Sequence, residues 1–120
     1  MSNIQMPNVA GLFYPGDPST LRHDVEQMLS AIQAQPGPAP KALIAPHAGY
    51  VYSGPVAAQA YRLLQNADQV SRVILLGPAH YHYVHGIAVP SVANFETPLG
   101  AVRLDTQMIA QLAELSQVAY

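Results

Sequence analysis

The chain has 120 residues, room for one domain and too few for two. Half of them are apolar and only 10% are charged, against roughly a quarter charged in an average globular domain, which excludes intrinsic disorder. Five basic against seven acidic residues give a net charge of −2; no two basic residues are adjacent, so there is no phosphate-tracking stripe and nucleic acid is not an expected partner.

No apolar run approaches the roughly 20 residues that span a bilayer. The N-terminal MSNIQMPNVA has neither a basic start nor an apolar core, so it does not read as a signal peptide and the expected location is the cytoplasm. Without cysteine, this chain can offer a metal only His, carboxylate, Tyr or water. So little charge on so small a domain suggests that part of the surface is covered by more chain or by a partner.

In chain order, Phe13-Tyr14-Pro15-Gly16-Asp17-Pro18 is dense in turn formers. Asp17 or Ser19 can cap a helix, and Pro18 suits its first turn. Leu21, Val25, Met28, Leu29 and Ile32 then follow a helical period, which predicts an amphipathic helix over 18–34. Pro36-Gly37-Pro38-Ala39-Pro40 is a stiff connector. Residues 42–45 read as a short, wholly apolar strand, 46–55 as a loop, and 55–66 as a second helix. Residues 73–76 read as a second apolar strand, followed by a loop rich in His and Tyr up to Gly86. Residues 87–89 read as a third strand, 91–100 as irregular and 101–104 as a fourth strand. Asp105 caps a last helix, and Val118-Ala119-Tyr120 could begin another strand.

Wholly apolar strands fit a parallel sheet covered on both faces, so the expected fold is α/β, mostly parallel, with helices on both faces. Ligands of such sheets bind outside the C-terminal ends of the strands. His47 follows the first strand and His80 the second, so this topology would bring both to one edge. Two imidazoles can hold a first-row metal, as in sites of two His and one carboxylate that leave positions open. Alternatively, each imidazole hydrogen-bonds a loop backbone. His82 and His85 lie close to His80 but have no helical i, i+4 pairing and no carboxylate nearby, so one ligand from this cluster is the economical reading. Tyr50, Tyr52, Tyr81 and Tyr83 crowd the two His loops and could line a pocket or simply pack. Glu96 is a candidate third ligand or an ordinary turn carboxylate. Ser53 stands in no strand–turn–helix nucleophile elbow, so a serine hydrolase is not expected. The glycines at 49 and 54 match neither nucleotide-binding pattern.

Ile44-Ala45-Pro46-His47-Ala48-Gly49-Tyr50 and Tyr52-Ser53-Gly54-Pro55-Val56-Ala57-Ala58 resemble the signature of the Memo family, often named AmmeMemoRadiSam system protein B in bacteria and archaea. Ala10-Gly11-Leu12-Phe13-Tyr14-Pro15, Leu76-Gly77-Pro78-Ala79-His80 and Glu96-Thr97-Pro98-Leu99-Gly100 agree with it in order. Ala79 stands where Ser is usual. The resemblance implies one Memo-type domain over 1–120, similar to the catalytic subunit of class III extradiol dioxygenases. It implies His47 and His80 as metal ligands, Fe(II) as the expected ion with copper or zinc as substitutes, and Tyr50 and Tyr52 beside the substrate pocket. It also implies that the chain is the N-terminal half, with a Cys, an Asp and a further His supplied beyond Tyr120; alone it would offer half a site and no turnover. Expected chemistry is redox or dioxygenase-like on an unknown small molecule. The alternative is a non-catalytic module that binds a peptide or protein in its cleft. Bacterial members stand beside radical-SAM and AMMECR-type proteins, which are expected associates.

Overall fold

The computed structural model describes residues 3–120. In chain order these form β1 (Ile4–Gln5), α1 (Pro18–Ser30), α2 (Tyr50–Tyr61), a 3-10 turn (Arg62–Asn66), β2 (Ile87–Ala88), β3 (Asn94–Thr97), β4 (Gly100–Arg103), α3 (Thr106–Leu112) and β5 (Val118–Ala119). The fold is mixed α/β. Its contacts divide it into two compact units: residues 8–73 hold α1, α2 and the 3-10 turn, and residues 3–7 with 74–120 hold the strands and α3.

In the unit of residues 8–73, α1 begins where Asp17 ends the turn-rich segment. A carboxylate oxygen of Asp17 accepts from the backbone N–H and the hydroxyl of Thr20, both at 2.8 Å. These bonds hold the carboxyl below its ordinary value of 3.8. Pro18 occupies the first turn, where its missing N–H costs nothing. The helix stops at Ser30 rather than continuing to 34; Ala31 and Ile32 close it by donating to the carbonyls of Gln27 and Leu29. Leu21 and Ala58 are the buried apolar side chains, on α1 and α2 respectively. Truncating Leu21 to Ala would cost about 2–5 kcal/mol at a well-packed site.

The second helix begins at Tyr50, five residues before the expected Gly-Pro start, and carries Pro55 inside it. The cause is tertiary. Tyr50 donates its backbone N–H to the carbonyl oxygen of Phe13 at 2.7 Å, while Ser53 donates its own to the carbonyl of Gly49 at 3.1 Å. Residues 50–54 thereby become a first turn that the Gly-Pro signal alone would place outside the helix.

In the other unit, β3 joins β1 in parallel, with Ile4 opposite Asn94, and β4 in antiparallel, with Phe95 opposite Val102. The β3–β4 turn is Thr97-Pro98-Leu99-Gly100. Thr97 accepts from the N–H of Leu99 at 3.1 Å and donates its hydroxyl to the carbonyl of Gly100 at 2.8 Å, and Gly100 takes the φ of 120° that the turn requires. The segment expected to be irregular at 91–100 thus contains a strand and a hairpin turn. A separate parallel pair joins β2 to β5, with Ile87 opposite Val118. Asp105 caps α3 by accepting from the N–H of Met108 at 2.9 Å.

The two apolar strands expected at 42–45 and 73–76 are not strands among the described residues. Ile44 is 99% exposed, and Val73, Ile74, Leu75 and Leu76 are exposed as well. An apolar run has strand propensity, but a strand exists only when a neighbour pairs its backbone and covers its faces. The expected parallel unit over 42–76 is therefore absent, and parallel pairing occurs instead at β1–β3 and β2–β5. No helix among the described residues is long and apolar enough to cross a membrane.

Candidate functional site

The site builds up within residues 8–73. Ala48 and Gly49 lead directly into α2, and the hydroxyl of Ser53 reaches back to donate to the carbonyl of Ala48 at 2.9 Å. That bond joins the His47 loop to the first turn of the helix. The Phe13 carbonyl holds the same turn from the other side through Tyr50. The chain at 9–14 is itself folded back, with Leu12 and Phe13 donating to the carbonyl of Val9 and Gly11 to that of Tyr14.

These constraints frame a cavity of about 430 Å³. Val9, Phe13 and Tyr14 form one side, and Val25, Met28 and Leu29 of α1 form another. Pro46, His47 and Ala48 stand at the entry to α2, which contributes Tyr50, Ser53, Gly54, Ala57, Ala58 and Tyr61. The volume exists because α2 shows small residues to α1. At Gly54 the approach is so close that a Cβ would stand 2.6 Å from the sulfur of Met28. The rings of Tyr14 and Tyr50 lie 5.7 Å apart and tilted by 41°. Burial, then the neighbouring Tyr14 and Tyr61, pushes the Tyr50 hydroxyl above its ordinary value of 10.0, so it stays protonated at neutral pH.

The cavity brings His47 and Tyr50 together and adds Ser53 to them. Tyr52 is 86% exposed and is not part of the lining. His80 belongs to the other unit, exposed, with its ring 6.4 Å from that of Tyr81 in an edge-on arrangement. His82 and His85 are exposed in the same loop. Glu96 lies in β3 opposite Ala101, and the carboxylate of Asp105 is the helix cap already described. Sequence reasoning did not single out Phe13, Tyr14, Met28, Ala57 or Tyr61 as site residues. The available signal was the run of small residues Gly54, Ala57 and Ala58 on a helix paired with one bearing Met and Leu.

As metal donors, the imidazoles of His47 and His80 are the right chemistry for iron, copper or zinc. Among the described residues, however, no three His, Asp or Glu side chains are gathered where they could hold one ion. The described residues thus do not make a complete donor set.

Comparison with known proteins gives a consistent answer. Residues 5–120 match the family described as Memo-like protein. A MEMO1 family protein of Methanothermobacter thermautotrophicus is 36% identical over 123 residues, covering 96% of this chain and 44% of that protein. One of Nitrosopumilus maritimus is 37% identical over 95% of this chain and 43% of its own length, and one of Methanopyrus kandleri 36% identical over 88% and 40%. The chain spans less than half the length of these curated relatives. With the P-H-A-G-Y segment entering α2 at the cavity and the match running over nearly all of its length, the chain belongs to the Memo family.

Proposed function

We propose that this chain contributes two ligands, His47 and His80, to a non-haem metal centre of a Memo protein that carries out redox, dioxygenase-like chemistry on a small molecule. The observation that carries the reading is the position of His47 in a Memo-type sequence: it is exposed, next to the first turn of α2, and lines a cavity able to take an organic molecule. Fe(II) is the expected ion, with copper or zinc as substitutes, and it would supply open coordination positions. The remaining donors would come from the further length that relatives have. Tyr50, a neutral hydroxyl at the cavity, would orient the bound molecule; Tyr52 would shape the approach to it. The proposed setting is the cytoplasm, with radical-SAM and AMMECR-type proteins as associates.

An anaerobic Fe(II) titration with metal analysis tests this on the chain, on His47→Ala and on His80→Ala. Saturable but weak binding by the parent chain, as two donors give, and a further loss of at least ten-fold in each variant is the expected result. Equal binding in the parent and both variants would remove the two ligands, and no saturable binding by the parent would remove the metal reading for this chain.

A specific observation favours a second reading. Val51 and Tyr52 are 91% and 86% exposed on the first turn of α2, a rigid apolar and aromatic step of the kind that anchors a peptide or protein partner. In that reading the cleft binds without catalysis, and Tyr52→Ala abolishes partner capture while His47→Ala does not.

A further inference from the structure

We infer that Met28 of α1 and Gly54 of α2 form a pair that sets the size of molecule accepted by the cavity between these helices. The inference rests on the reading that this cavity holds the molecule acted on, and it adds which residues limit that molecule.

Both residues line the cavity. Gly54 is buried within α2, and a Cβ there would stand 2.6 Å from Sδ of Met28 and 3.5 Å from its terminal methyl. The remaining near neighbour, Cβ of Tyr50 at 3.5 Å, is at ordinary contact distance, so Met28 is the group that would have to move. Glycine inside a helix sacrifices backbone stability relative to alanine; at this position it lets the thioether lie against the α2 backbone. Met28 is half-buried, unbranched and able to swing about several bonds. The open volume it borders is the cavity, so a thioether displaced from Gly54 takes up space there, and a shortened side chain at 28 extends the cavity toward Gly54. The volume of about 430 Å³ lies toward the small end of ligand pockets, about 300–1,000 Å³. In an apolar pocket one methylene more or less changes discrimination by about ten-fold or more.

The test uses the 120-residue chain, freed of metal by a chelator, with its alanine methyl groups labelled for NMR. Ala57 lines the cavity and reports on it, while Ala101 in β4 does not and serves as the reference. The probes are phenol, 4-propylphenol and 4-hexylphenol. Tyr14, Tyr50, Tyr61, Ser53 and His47 bring polar atoms to the lining that can meet the probe hydroxyl, and only the chain grows along the series. In the parent the Ala57 signal should shift saturably, and affinity should fall beyond one chain length. Met28→Ala should move that limit to longer chains, tightening the longest probe by about ten-fold or more, and Gly54→Ala should move it to shorter ones by a similar factor. In the Met28→Ala background no thioether remains to be displaced, so adding Gly54→Ala should change affinities by less than about two-fold. Each single variant keeps the inference falsifiable where the other fails to fold. An unmoved Ala57 signal with every probe, the same size limit in parent and variants, or an equal effect of Gly54→Ala with and without Met28 would overturn it. His80→Ala, in the other unit and outside the lining, separates this inference from the metal centre. Weakened Fe(II) binding in that variant, with the size limit intact, supports both. Shifted limits in a parent chain that binds no Fe(II) remove the metal reading and keep this one. Fe(II) binding dependent on His80 with no shift of the limit overturns this inference alone.

Discussion

The backbone N–H of Tyr50 donates to the carbonyl oxygen of Phe13 at 2.7 Å, across more than thirty residues of chain. This bond fixes where α2 begins, carries the His47 loop with it and places the Tyr50 ring beside Tyr14 at the cavity. A Cβ on Gly49 would stand 3.4 Å from the same carbonyl oxygen, so the Phe13 backbone runs in contact with the start of the helix.

The Tyr50 hydroxyl gives a pH signature. Its native value is raised, first by burial and then by Tyr14 and Tyr61, so folding favours the neutral phenol. The associated stability is fully present below the unfolded value of about 10 and is lost as pH rises through the raised native value. Denaturant midpoints of the wild type should therefore fall on the alkaline side. Tyr50→Phe should flatten that fall while changing stability at neutral pH by less than about 1 kcal/mol, the scale of a single hydrogen bond. An unchanged alkaline slope in the variant would mean that another group controls it.

At Gly86 the backbone has φ 93°, and an added Cβ would collide with the carbonyl oxygen of Gln117. That same oxygen accepts from the N–H of Ile87 at 2.8 Å and begins the β2–β5 pairing. Gly86→Ala should destabilise the chain by about 1–3 kcal/mol and speed hydrogen exchange at the amides of Ile87 and Val89. Gly77 has no positive φ, and an added Cβ there would meet nothing within 4 Å, so Gly77→Ala is the matched control and should leave both measurements unchanged.

Ile44 and Leu75 are 99% and 81% exposed in segments with no ladder. Burial contributes nothing to their fit in this chain, so Ile44→Lys and Leu75→Lys should each alter unfolding free energy by less than about 0.5 kcal/mol. Exposed apolar segments with unpaired backbone are templates for association, and a charge blunts them. Sedimentation at rising concentration should show less self-association in both variants. A loss of several kcal/mol in either would instead reveal packing at that position.

Local chemistry made part of this protein legible from sequence. Asp17 and Asp105 cap helices because a side-chain oxygen can reach an N–H three residues on, whatever the rest of the chain does. The strand at 100–103 and the pairing of 118–119 were likewise readable from short apolar segments beside turn signals. The motifs around His47, His80 and Glu96 also identified the family from residue order alone.

Tertiary structure decided what depends on distant partners. Asn3 accepts from Ala93 ninety positions away, and β1 thereby adds a parallel neighbour to residues 94–95 of β3, which no local pattern announces. The runs at 42–45 and 73–76 have stronger apolar character, yet without a paired backbone they form no strand among the described residues. The start of α2 follows the Phe13 carbonyl rather than the Gly-Pro signal, and the cavity follows from small α2 residues meeting Met28 and Leu29 on α1. A cap spans one helical turn and is written in adjacent residues, whereas a ladder or a cavity is a relation between segments whose meeting no local pattern encodes.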